Sequence, residues 1–479
     1  MKRGYASVNA CHRMATNFTG GILLLHLFNI GQEHLAFDSE SGALHQIDQL
    51  AAAVLKTYDE QGGKRPPAAV VEQLQAQLGQ DVSGCCDDID QLITAGQLFS
   101  SPVDAAVSQL YPDGPRIKSM CLHLCHDCNL RCRYCFAGTG DFGTGHRSML
   151  SSETGRTAVD FLIKASGPRQ HLDIDFFGGE PLMNWPVVMD LVSYCEQQAA
   201  RSGKKIRLTL TTNAVLLDDE KTAYLNQHFD NVVLSIDGRP HVHDNMRPDA
   251  GQRGSYEKVA SNIERFVKAR GGKTYYLRGT FTRHNLDFDQ DVTHMRKLAS
   301  QLSLEPVVAP PNTDYAIKSE DLPLIEQAYE RLAQDYAASA LSGEPYNFFH
   351  FMLDLGRGPC AFKRLKGCGV GLEYIAVTPE GDIYPCHQFV GIPDFKMGHV
   401  SQSPDQLSQA VRQPFESLML PDKPACRDCW ARWFCSGGCA ANAWHDSGTL
   451  DGLYEIGCAM QKKRLECALW IKAKLTEST

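Results

Sequence analysis

The feature that most limits this chain is the run Cys128-Asn129-Leu130-Arg131-Cys132-Arg133-Tyr134-Cys135, three thiols at a C-x3-C-x2-C spacing. Three thiolates can hold three irons of a 4Fe–4S cluster and leave the fourth iron open to bind and activate a substrate. An ordinary ferredoxin uses a different run, C-x2-C-x2-C-x3-C. A structural zinc site would need a closed set of four ligands.

At 479 residues the chain is long enough for about three domains. No apolar run approaches the ~18 residues of a membrane span. The basic start Met1-Lys2-Arg3 is not followed by an apolar signal core, so the expected location is cytoplasmic. Eighteen cysteines in such a chain point to metal or cluster binding rather than disulfides. They are clustered as ligands are, five within 121–135 and nine within 360–467.

Residues 20–105 read as a separate module. Extended stretches at 22–29 and 34–37 flank Gly31 as a hairpin, and amphipathic segments follow at 47–58, 68–78 and 87–95. This is a winged-helix-like plan. Between 21 and 100 stand three basic residues against eleven acidic ones, a balance that repels phosphate and argues against nucleic acid. A peptide-binding or structural role fits better. Cys85 and Cys86 read as small buried hydrophobes.

From about 115 strands and helices alternate. Strands are expected at 117–124, 172–177, 206–212, 232–236, 275–281 and 306–309, with helices at 153–165, 187–200, 219–227 and 256–269. Six β/α units make an α/β fold with a parallel sheet, open or a partial barrel, with chemistry at the C-terminal strand ends. The cysteine run lies just past the first strand, on that face. Strand 172–177 leads into Gly178-Gly179-Glu180-Pro181. Two glycines let backbone approach a ligand closely, and a carboxylate there can accept hydrogen bonds from an ammonium group. An open iron beside such a carboxylate suits S-adenosylmethionine (SAM), whose amino and carboxylate groups chelate the iron.

On Cys128, Cys132, Cys135 and Gly178-Gly179-Glu180, residues 112–315 resemble the radical SAM superfamily, whose fold is a partial (β/α)6 TIM-like barrel. The resemblance implies SAM contacts at Tyr134, Gly178, Gly179, Glu180, Ser235 and Asp237. Tyr134 would lie beside the adenine, Ser235 and Asp237 near the methionine and ribose ends. Arg247 reads either as a carboxylate ligand or as an exposed partner of Asp244. Cys121 and Cys125 fit no cluster spacing and read as strand core.

Cys368, Gly381, Cys386, then Cys426-x2-Cys429-x5-Cys435-x3-Cys439 and Cys458, resemble the SPASM extension of these enzymes. The resemblance implies interleaved ligands, Cys426, Cys429, Cys435 and Cys458 for one auxiliary cluster and Cys368, Cys386 and Cys439 for another, hence three 4Fe–4S clusters in all. Cys360 is a fourth ligand of the latter, or one iron stays open for a substrate thiolate. Cys467, in a helix expected at 462–475, reads as core. The SPASM domain is expected over 360–479, after a helical bridging region at 316–359.

The order of parts, with Phe-Phe-Gly-Gly-Glu-Pro and Pro-Cys-His-Gln-Phe-Val-Gly, is similar to the SCIFF maturases, which install thioether crosslinks in cysteine-rich precursor peptides. That resemblance implies leader-peptide recognition by residues 20–105 and a flavodoxin- or ferredoxin-like electron donor in the cytoplasm of an anaerobic bacterium, with no membrane or nucleic-acid partner. It also implies hydrogen abstraction by a deoxyadenosyl radical from an acceptor residue, typically Thr, followed by C–S bond formation. The alternatives are another SPASM enzyme, such as an anaerobic sulfatase maturase, and a non-enzymatic iron–sulfur regulator or electron carrier.

Overall fold

In the computed structural model, residues 25–102, 114–355 and 364–477 are described. Strands β1 (Leu25–Ile30), β2 (Glu33–Asp38) and β3 (Leu44–Ile47) pair antiparallel in that order, with Gly31 turning β1 into β2 at φ +58°. Helices α1 (Gln49–Glu60), α2 (Ala68–Leu78) and α3 (Val82–Thr94) follow. The expected hairpin and three helices are present. The third strand is an addition, and α3 begins at Val82 rather than 87. Asp81 caps it there, its side chain accepting from the Gly84 N–H at 2.9 Å. Val54, Leu55, Tyr58, Cys86 and Ile89 close a small core of the module's own, while Cys85 is half-buried.

The module does not stand apart. The ring of His26 stacks on Trp430 at 3.8 Å, and its Nε2 lies 2.9 Å from Glu466. Phe37 packs edge-on against Phe434 at 5.6 Å. Glu40, 3 % exposed, accepts from Arg432 Nη2 at 2.7 Å and Trp433 Nε1 at 2.9 Å. Trp470 Nε1 donates to Glu33 at 3.1 Å. The partners belong to segment 426–435, which ends in the short helix Arg432–Cys435, and to the last helix, Glu455–Glu477. The boundary near residue 105 therefore separates sequence patterns, not independent bodies.

Six parallel strands run in sequence order: β4 (Ser119–Cys125), β5 (His171–Gly178), β6 (Lys205–Thr212), β7 (Asn231–Ser235), β8 (Thr274–Phe281) and β9 (Gln301–Pro306). Helices α4 (Ser152–Ala165), α5 (Trp185–Ser202), α6 (Asp219–His228), α7 (Pro240–Met246), α8 (Tyr256–Arg270) and α9 (Phe288–Met295) connect them. The sixth strand lies ahead of the expected 306–309. Register against β8 runs from Leu277↔Leu302 to Phe281↔Pro306, where a residue without N–H ends the strand.

The sheet continues at both edges. β10 (Asn347–Phe348) adds beside β9, after α10 (Leu322–Leu341), so the bridging region supplies a strand as well as a helix. β11 (Tyr374–Val377) pairs parallel with β4 and carries β12 (Asp382–Tyr384) and β13 (Gly398–His399) antiparallel. One open ten-stranded sheet thus joins the barrel strands to the region after 364. Period-two alternation sorts its faces. Leu122, Ile174, Phe176, Leu210, Leu234 and Leu277 are buried against helices. The opposite, concave face carries polar residues, among them Asp175, Ser235 and Arg278. No helix of the described residues is long and apolar enough to cross a membrane.

Candidate functional site

The cysteine loop leaves the C-terminal end of β4 and is gripped from two sides. On one, Gly179 N–H donates to Cys125 O and Glu180 N–H to Asp127 O, both at 2.9 Å. A Cβ at Gly179 would stand 1.9 Å from Asp127 O, and one at Gly178, already at φ +124°, 2.3 Å from Cys125 O. The two glycines admit the cysteine loop at close range. On the other side, Arg131 N–H donates to Pro248 O at 2.8 Å and Arg133 N–H to Met246 O at 2.9 Å.

Glu180 has a structural role that its position did not reveal. It is 1 % exposed, and its carboxylate accepts from Leu182 N–H (3.0 Å), Thr212 Oγ1 (2.7 Å) and Asn213 N–H (2.8 Å). It ties β5 to β6. Burial pushes its carboxyl up to about 6 against these donors. Glu180→Gln points an amide N–H₂ at a backbone or hydroxyl donor, and the expected cost is about 1–3 kcal/mol in chemical denaturation. A raised carboxyl stabilises fully below its unfolded pKa and less as pH rises through about 6. The gap between wild type and Gln variant should therefore widen as pH falls from 7 to 5. A gap that narrows would refute this.

Tyr134 OH donates to Asp237 Oδ2 at 2.6 Å and accepts from Arg247 Nη1 at 2.7 Å. Asp237 is fully buried and also takes the Thr280 N–H at 3.1 Å. Burial raises its carboxyl, and Arg247, 3.7 Å away, opposes that. Arg247 is buried rather than exposed, and Asp244 instead accepts from Tyr256 N–H at 2.8 Å. This triad anchors the aromatic that precedes Cys135. Ser235, at the end of β7, stays half-exposed on the concave face.

The thiols gather in three groups. Cys128, Cys132 and Cys135 lie close together, near enough for the other thiols to oppose ionisation of Cys128. Burial first, then Glu180 and the neighbouring thiols, push Cys128 up to about 12. Burial likewise pushes Cys132 up to about 11. Cys368, Cys386 and Cys439 form the second group, with Cys386 pushed by burial up to about 12. Cys426, Cys429, Cys435 and Cys458 form the third, with Cys435 at about 11. Among the described residues no three of His, Cys, Asp or Glu could hold a single metal ion. A four-iron cube needs thiols set apart by its own width, and iron would relieve their mutual repulsion by taking them as thiolates. The donor sets fit such clusters. Cys121, Cys125 and Cys467 are buried outside these groups, and Cys125 Sγ donates to Glu180 O at 3.1 Å. Cys360 lies outside the described residues.

Sequence reasoning passed over several residues of the site. Asn213 Nδ2 lies 3.6 Å from Cys128 Sγ and donates to Asn129 Oδ1 at 2.7 Å. Phe136 and Phe177 both pack on His387, at 5.4 and 5.3 Å. These rings bridge the loop after Cys135 to the residue after Cys386. Phe136 and His387 each follow a cysteine directly, Phe177 precedes the glycine pair, and Asn213 carried no signal in the sequence.

Residues 122–288 match the Radical SAM superfamily, and 368–430 match SPASM, an iron-sulfur cluster-binding domain. The chain thus carries a Radical SAM domain followed by a SPASM domain on a mostly parallel α/β sheet, the architecture of radical SAM enzymes. The cysteine-type anaerobic sulfatase-maturating enzyme of Clostridium novyi is 22 % identical over 353 residues, 68 % of this chain and 89 % of that protein. The solved structure of anSMEcpe with bound AdoMet superposes with TM-score 0.60 at 20 % identity, covering 73 % of this chain and 96 % of its own. Streptococcus suis SuiB bound to precursor peptide SuiA covers 90 % of this chain and 97 % of its own, with TM-score 0.51 at 14 % identity.

Proposed function

We propose that this chain is a radical SAM maturase that installs Cys thioether crosslinks, typically to Thr, in a ribosomally made cysteine-rich peptide. The observation that carries the reading is the joining of three thiol groups and an N-terminal sheet-and-helix module in one architecture. Cys128, Cys132 and Cys135 would hold a SAM-binding 4Fe–4S cluster; Cys368, Cys386 and Cys439, and Cys426, Cys429, Cys435 and Cys458, would hold two auxiliary ones. The first, when bound and reduced by a flavodoxin- or ferredoxin-like donor, supplies homolytic SAM cleavage. The chain's own residues position and shield. Gly178 and Gly179 seat the thiol loop, Glu180 locks β5 to β6 beneath it, and Asp237 with Arg247 fixes Tyr134.

The leader would join the edge of the three-stranded module, gaining main-chain hydrogen bonds. SuiB, solved with a precursor peptide, supports a peptide substrate; the sulfatase maturases support the alternative of a sulfatase-derived one. The test is anaerobic reconstitution with SAM and a reductant, offering in parallel a Cys- and Thr-containing precursor with its leader and a Cys-type sulfatase peptide. Mass spectrometry should find a two-hydrogen loss with a Cys–Thr crosslink in the first. Formylglycine in the second alone would replace the thioether reading with the sulfatase one.

A further inference from the structure

The concave face of the sheet holds two opposite charges that the fold leaves without a strong partner. Arg278 projects from β8 between its register neighbours Ser235 and Ser303, is exposed, and enters no ion pair or side-chain hydrogen bond among the described residues. Its charge is felt by Asp175, Glu305, His350 and His387, which come from different elements, so the guanidinium points to where they converge. Two of these are already engaged. Glu305 lies 3.2 Å from His350 and 3.5 Å from Arg464, and His387 Nδ1 lies 3.1 Å from Tyr374 OH. Asp175, on β5, receives only a long contact from Thr211 Oγ1 at 3.4 Å. Arg278 influences Asp175 without ion-pairing to it.

Arg278 is exposed and Asp175 half-buried, so both stay open to a ligand on this face. Strands β6 and β7 stand between them, and the space they flank lies below the end of β7, where Ser235 sits. Two opposite charges on one face, two strands apart, match a ligand that carries an acceptor and a donor along an extended backbone, as a peptide does. A guanidinium fork takes carbonyl or carboxylate oxygens in pairs. A carboxylate pushed up to about 7 by burial regains its charge when an N–H or O–H donor arrives.

We propose that Arg278 and Asp175 grip the peptide substrate on the concave face, Arg278 donating to its main-chain carbonyls and Asp175 accepting from a neighbouring N–H or hydroxyl. This rests on the reading of the protein as a peptide-modifying enzyme and names the residues that would select the reacting segment. Both are positioning residues.

The test uses the full-length reconstituted enzyme and whichever of the two synthetic peptides wild type modifies. Arg278→Gln, Arg278→Lys and Asp175→Asn are compared by steady-state kinetics, with iron content and thermal midpoint measured on each. The Gln and Asn variants should raise KM for peptide by about tenfold to a hundredfold, the loss of one charge-assisted hydrogen bond each. The fall in kcat at saturating peptide should be much smaller, and Lys should restore part of the KM. Altered packing alone would lower iron content or kcat and would not be rescued by Lys. A KM within twofold of wild type in both neutral variants, or a kcat loss with KM unchanged, overturns the proposal while leaving the function intact. Modification of neither peptide by wild type removes the function and this proposal together.

Discussion

Gly179→Ala is expected to abolish deoxyadenosine formation and to empty the first thiol group of iron. Its Cβ would stand 1.9 Å from the carbonyl oxygen of Asp127, a backbone atom that cannot swing aside as a side chain can. The Gly179–Cys125 and Glu180–Asp127 hydrogen bonds, both 2.9 Å, would have to open for the loop to retreat. Overpacking of this kind costs about 1–3 kcal/mol or more. The residue displaced is the one before Cys128. A misplacement of about 1 Å near a reacting centre can lower a rate about a hundredfold, and turnover should fall by at least that much. The comparison is with Cys128→Ala/Cys132→Ala/Cys135→Ala, which should lose the same iron and keep that of the other two groups. Wild-type iron and deoxyadenosine from Gly179→Ala would show that the contact yields freely and that the glycines serve something else.

The second large effect lies at the seat of the N-terminal module. On the sequence alone, removing residues 1–100 spares every cluster, because all the proposed ligands lie beyond residue 120. The structure reverses that expectation. Trp430, Trp433 and Phe434 sit among Cys426, Cys429 and Cys435 and lean on His26, Glu40 and Phe37. Deletion would bare those rings and leave Arg432 without its carboxylate. Glu40→Ala isolates the effect: taking one partner from a buried ion pair costs about 3–5 kcal/mol. Both variants should lower the thermal midpoint and lose iron from the Cys426/Cys429/Cys435/Cys458 group, with the first group retained. Iron measured per chain, with cluster spectroscopy, decides it. A truncated protein carrying all its iron at wild-type stability would make the module a detachable tether.

The legible part of this protein is whatever a short stretch of chain settles by itself. A C-x2-C step keeps its two thiols together, so Cys132 with Cys135 and Cys426 with Cys429 announced their groups before any fold was known, whereas Cys435 and Cys439, four residues apart, fall into different ones. Alternation of apolar residues in 172–177 and 206–212 similarly announced strands with one buried face, because successive side chains of a strand point opposite ways. The third strand, Leu44–Ile47, escaped because four residues carry too little pattern.

What the tertiary structure alone decided are pairings between distant residues. Glu40 meets Arg432 across 392 positions, and Tyr134 meets Asp237 across 103. Glu180 looked like a ligand for an ammonium group because a carboxylate after two glycines is free to be one. Only the arrival of β6, bringing Thr212 and Asn213, supplied its oxygens with protein donors. Arg247 read either as a carboxylate ligand or as an exposed partner of Asp244, and the end of α7 turns it inward toward Asp237. In each case the residue's own chemistry allowed several partners, and the choice among them was made by burial, which removes water and leaves only the donors and acceptors that the packed elements bring within reach.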